Sequence, residues 1–78
     1  GRYALIFAAA PYALPGLPKI PDLVLRKKAE ECLLKEGGIF VFEHGKHNDF
    51  SQHPCFIEHR SYGSVNFSLF RAWKEEEQ

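Results

Sequence analysis

With 78 residues, the chain has room for one hydrophobic core and not two. Hydrophobic residues make up 45% and aromatics 14%, which excludes a disordered tether. Ten basic residues balance ten acidic ones, so the net field marks no general nucleic-acid binder. No run of 18 apolar residues is present to span a membrane.

The charge is unevenly placed. Residues 74–78, "KEEEQ", form an acidic tail with Glu75, Glu76 and Glu77, and without them ten basic groups face seven acidic ones. Two cysteines, Cys32 and Cys55, are not expected to make a disulfide framework. Cys32 falls in an apolar helical pattern, where a free thiol acts as a small hydrophobe. The chain has no methionine and opens on "GRYALIF", as expected of a piece of a longer protein or a processed product.

"YALIF", residues 3–7, is an apolar run of the kind that forms a strand buried on both faces, as in a parallel sheet. Pro11, Pro15, Pro18 and Pro21 follow, so "APYALPGLPKIP" is a loop with room for a single turn. "PDLVLRKKAEECLLKEGG" reads as a helix. Asp22 sits at its amino end, Leu25, Ala29, Cys32 and Leu33 share a face, and Gly37 with Gly38 stops it. Lys27 and Glu31 make an i,i+4 pair, and "RKK" reads as a solvated face rather than a phosphate patch.

"GIFVFEHG" is predicted to be the second buried strand, parallel to the first. "KHNDFSQHP" is a polar loop. "CFIEHRSYG" alternates, with Phe56, Glu58 and Arg60 opposed to Ile57, His59 and Ser61. "SVNFSLFRAW" sets Val65, Phe67, Leu69 and Arg71 against Asn66, Ser68, Phe70 and Ala72. The turn "SYGS" joins the two into an antiparallel hairpin. The expected fold is therefore α/β: a β-α-β unit followed by an antiparallel β-hairpin, part of a Rossmann-like sheet. No G-x-G-x-x-G is present.

Few residues carry obvious chemistry. His44, His47, His53 and His59 cluster late with Cys55, but their spacing does not match a closed zinc site, and no metal is expected. No nucleophile–base pair is evident. His44 and Lys46 follow the second parallel strand, at the same sheet edge as Tyr12, and in open α/β sheets ligands bind along that edge.

Three stretches, "YALIFAAAPYAL", "LLKEGGIFVFEHG" and "HRSYGSVNFSLF", together resemble the carboxyl-terminal half of a bacterial class I, S-adenosylmethionine-dependent methyltransferase. The family is the one that methylates the exocyclic N2 of a guanine in small-subunit ribosomal RNA. The resemblance covers nearly all of residues 1–78 as one domain. In that family the first strand here ends in Asp-Pro-Pro-Tyr. Ala9 and Ala10 stand at the acid and first proline, and Pro11 and Tyr12 at the second proline and the aromatic.

The resemblance implies that Tyr12 stacks on the target base and that the Ala10 carbonyl orients its amine. It implies further that Ala8 and Ala9 border the cofactor and that Tyr12, His44 and Lys46 meet the substrate. The carboxylate is missing at Ala9, since alanine offers no side-chain acceptor. It also implies ribosomal RNA or the small ribosomal subunit as partner and a cytoplasmic location, with most of the S-adenosylmethionine site lying outside this chain. The isolated chain is expected to be inactive. A second reading is a non-catalytic α/β module that binds a partner, or itself, through an open edge at the first strand.

Overall fold

The structure is a computed structural model in which residues 3–26 and 32–73 are described. The acidic tail, the Lys27–Glu31 pair and Ala29 lie outside the described residues. Four strands and one short helix follow one another: β1 (Tyr3–Ala9), α1 (Ile20–Val24), β2 (Leu34–His44), β3 (Phe56–Tyr62) and β4 (Val65–Arg71), with a 3-10 turn at Leu17–Lys19 before α1. They make one mixed sheet in the order β1-β2-β4-β3. β1 runs parallel to β2, and β4 is antiparallel to both β2 and β3. No helix among the described residues is long and apolar enough to cross a membrane.

The predicted helix is much shorter than its apolar pattern. α1 ends at Val24, because Leu25 leaves helical geometry at φ −105°, ψ 62°. The Val24 carbonyl, which a continuing helix would use, instead accepts from the Leu33 amide at 3.4 Å and the Cys32 thiol at 3.6 Å. Leu34–Glu36, expected in the last helical turn, belong to β2. Leu25 and Cys32 are buried, as the pattern required, while Leu33 is exposed. Tertiary contacts have overridden a modest local propensity.

Gly37 and Gly38 do not cap a helix but shape β2. Between Tyr3↔Leu34 and Leu5↔Ile39 the pairing with β1 slips, and Gly37 takes φ +77° to make the slip. A Cβ on Gly38 would lie 3.0–3.1 Å from the carbonyl oxygens of Lys35, Ala4 and Tyr3. A side chain there would require the neighbouring backbone to give by a few tenths of an ångström.

The core lies on one face of the sheet. Phe40, Phe42 and Phe70 are fully buried, joined by Leu17, Val24, Leu25, Phe50 and Cys55 from the covering segments. Phe70 is the hub, with ring centroids 5.6 Å from Phe40, 5.9 Å from Phe50 and 6.1 Å from Phe56. Trp73 closes the far end by donating its indole N–H to the Leu25 carbonyl at 2.9 Å.

The opposite face is open. Leu5 and Phe7 are exposed, and Ile39, Val41, Phe67 and Leu69 on the same face are only partly covered. The expectation that the two parallel strands are buried on both faces therefore fails, because the described residues supply only one covering layer. In β3, Ile57 is an extra residue: Phe56 pairs with Phe70, and Glu58 with Leu69. This bulge turns Phe56 to the core face with His59 and Ser61, not to the Glu58 side as strict alternation predicts.

Candidate functional site

β1 ends at Ala9, and the prolines that follow take the chain off the sheet at the carboxyl edge of the parallel strands. In register across β2, Ala9 pairs with Glu43 and Ala8 with Phe42. Side chains alternate along a strand, so Ala9 faces the open side beside Glu43, while Ala8 packs toward the core. Of the two residues expected to border a cofactor, only Ala9 is exposed.

Tyr12 lies beyond the strand end and returns to β2. Its hydroxyl donates to Glu43 Oε2 at 2.7 Å. That bond and the negative carboxylate push the phenol's pKa above its ordinary 10.0. Gly45 lies under the Tyr12 ring, and a Cβ there would be 3.3 Å from Tyr12 Cδ2. Glu43, which pairs across the strands with Ala9, thus anchors the tyrosine. Sequence reasoning left Glu43 without a role, since only strand register brings it beside Ala9.

A cleft of about 500 Å³ opens on this edge. It is lined by Tyr12, by Gly45, Lys46, His47 and Asn48 after β2, and by Gly63 and Ser64 of the β3–β4 turn with Asn66 of β4. Tyr12 and Lys46, both predicted to meet a substrate, come together here. His44 does not join them. Its ring is buried at 1% exposure, with Nδ1 2.9 Å from the Gly45 carbonyl and Nε2 2.7 Å from Ser68 Oγ. In the neutral ring Nδ1 donates to that carbonyl, and Nε2 accepts from the serine hydroxyl. His44 is a core residue that braces the strand end.

Burial, opposed by the Gly45 bond and aided by the neighbouring His59, lowers the His44 pKa below the ordinary 6.5. The unfolded chain therefore binds more protons below pH 6.5 than the folded one. The His44 contribution to stability is full above pH 6.5 and is lost as pH falls through the lowered folded value. Denaturation midpoints at pH 7.5 and 5.5 should show a drop that shrinks in His44→Phe. An unchanged drop would assign the pH dependence elsewhere.

His53 and His59 are committed to structure. His53 Nε2 lies 2.8 Å from Asp22 Oδ1, and its Nδ1 accepts the Cys55 amide at 3.0 Å, pinning the loop before β3 to α1. Burial, the largest cause, pushes the Cys55 thiol up to about 11. It stays protonated at neutral pH and is no nucleophile. His59 Nε2 is 2.9 Å from Asn66 Oδ1.

Two parallel strands, a short helix and a hairpin whose last strand inserts beside β2 define a partial Rossmann-like α/β sheet. Two solved structures share it. A candidate methylase of Haemophilus influenzae, HI0767, matches with TM-score 0.67 at 15% identity, over 91% of this chain and 43% of that one. A candidate methyltransferase of Escherichia coli, YhhF, matches with TM-score 0.65 at 12% identity, over 92% and 38%. The fold is thus shared with both, and the chain spans less than half the length of either neighbour. No family model and no curated protein sequence matches the chain.

Proposed function

We propose that the chain is the carboxyl-terminal part of an S-adenosylmethionine-dependent methyltransferase acting on a guanine exocyclic amine in ribosomal RNA of the small subunit. The observation that carries this reading is Pro11–Tyr12 at the carboxyl end of β1, anchored by Glu43 at the mouth of the cleft. The fold shared with two candidate methyltransferases supports it. On this reading Tyr12 stacks on a base taken out of its own stack. The Ala10 carbonyl accepts a hydrogen of the amine and aims the nitrogen. Lys46, exposed beside the cleft, meets an RNA phosphate.

The exposed strand end at Ala9 fits as a border of the cofactor site; its remaining contacts would come from outside these residues. S-adenosylmethionine, when bound, supplies the methyl group. The reaction takes place in the cytoplasm, where the ribosomal substrate is made. Labelled-methyl transfer to small-subunit RNA tests the reading. A complete domain containing this segment should transfer label and the 78-residue chain alone none. A complete domain that leaves the RNA unlabelled, while retaining bound cofactor, would overturn it.

One observation favours a second reading, a module that associates through its sheet. Among the described residues β1 pairs only with β2, and Tyr3, Leu5 and Phe7 are exposed on it. An apolar strand with an unpaired edge is a template for association. Sedimentation of the isolated chain should show concentration-dependent self-association that Leu5→Lys weakens. A monomer throughout, with fast amide exchange along β1, would reject association by this edge.

A further inference from the structure

Asn66 is the most enclosed polar side chain on the cleft, at 6% exposure. Its amide is fixed by its neighbours. Oδ1 is 2.8 Å from Ser61 Oγ, which donates to it, and 2.9 Å from His59 Nε2. An amide oxygen has two lone pairs, and both are engaged in the His59 tautomer that carries its hydrogen on Nε2. Nδ2 carries two hydrogens, and its contact with the Ser64 carbonyl is long, at 3.5 Å. The acceptor end of Asn66 is thus blocked, and the donor end is held toward the turn that closes the cleft.

We infer that Asn66 is a specificity residue that selects a base bearing a keto oxygen, guanine, over one bearing an amino group, adenine. The inference rests on the nucleic-acid substrate of the reading above, not on methyl transfer itself. A free asparagine pairs with adenine by accepting from N6 and donating to N7. With Oδ1 occupied, Asn66 cannot accept from adenine N6. It can still donate to guanine O6 or N7, both acceptors. An adenine placed there would bury its amino group against a donor, leaving both unpaired. Lys46 and His47, which line the same cleft, suit the phosphate of the same nucleotide, and Tyr12 lines it as well.

The test uses the 78-residue chain labelled with nitrogen-15. It is titrated to millimolar levels with guanosine 5′-monophosphate, adenosine 5′-monophosphate and inorganic phosphate. The guanine nucleotide should shift the Asn66 side-chain amide and the Gly45 and Gly63 backbone amides. It should bind on the order of tenfold more tightly than the adenine nucleotide. Asn66→Asp, which removes the donor at equal size, should abolish that preference. Ser61→Ala, a change at an exposed position that frees one lone pair of Oδ1, should narrow it even if Asn66→Asp fails to fold.

Equal binding of the two nucleotides, no binding of either, or phosphate alone reproducing all shifts would each overturn the inference. No methyl donor enters the experiment. A guanine preference with an inactive complete domain would sink the methyltransferase reading alone, and methyl transfer without the preference would sink this inference alone.

Discussion

On the proposed methyltransferase reading, placing aspartate at position 9 of a complete domain should raise methyl transfer on the order of 100- to 1,000-fold, the range commonly lost with a positioned catalytic hydrogen-bonding group. The exocyclic amine of a base is a weak nucleophile because its lone pair is delocalised into the ring. A side-chain acceptor beside the Ala10 carbonyl would hold both amine hydrogens and aim the nitrogen. The position is open to such a side chain, since Ala9 is exposed on the uncovered face of β1. Its cross-strand neighbour is Glu43, so the new carboxylate faces a like charge, which disfavours ionisation.

Ala9→Asn provides the control. It offers an acceptor without a charge, so it should recover much of the gain if acceptance of the amine hydrogens is what matters. Single-turnover rates with labelled S-adenosylmethionine, compared for alanine, asparagine and aspartate, measure this directly. Rates unchanged across the three would mean that position 9 does not touch the amine, and the association reading would then stand ahead.

The largest effect on folding should come from Phe70→Ala. Phe70 is fully buried and meets the rings of Phe40, Phe50 and Phe56, with the His53 imidazole 5.3 Å away. Truncating such a phenylalanine costs about 3–5 kcal/mol, from lost transfer energy and the cavity left behind. Small domains have little more than about 5 kcal/mol to lose, so the variant should be largely unfolded at 25 °C. Phe7→Ala is the contrast. Phe7 is 59% exposed on the open face, and its removal should change stability by less than about 0.5 kcal/mol. Urea titrations followed by circular dichroism compare the two. Similar losses at both positions would mean that the open face is covered in solution.

The elements of the fold were largely legible in the chain. The apolar run at residues 3–7, the run at 39–42 and the turn at Gly63 mark β1, β2 and the hairpin, because burial and turn geometry act on neighbouring residues. The alternation of β4 was also legible in full, including the set of residues that shares the core side. The helix was overextended because Leu25, Cys32 and Leu33 have helical spacing, and spacing cannot show that the Val24 carbonyl is taken by residues 32 and 33. The bulge at Ile57 was invisible for the same reason: it exists only relative to β4.

The site divides along the same line. The sequence by itself determined that Pro11–Tyr12 follows a strand end with alanine at positions 9 and 10, since these are local facts of residue type and order. Only the tertiary structure decided that Glu43 stands beside Ala9 and holds Tyr12, that His44 turns into the core, and that Asn66 presents a donor with its acceptor engaged. Each of those depends on the register between strands distant in sequence. A shift of one residue would send every one of these side chains to the other face of the sheet.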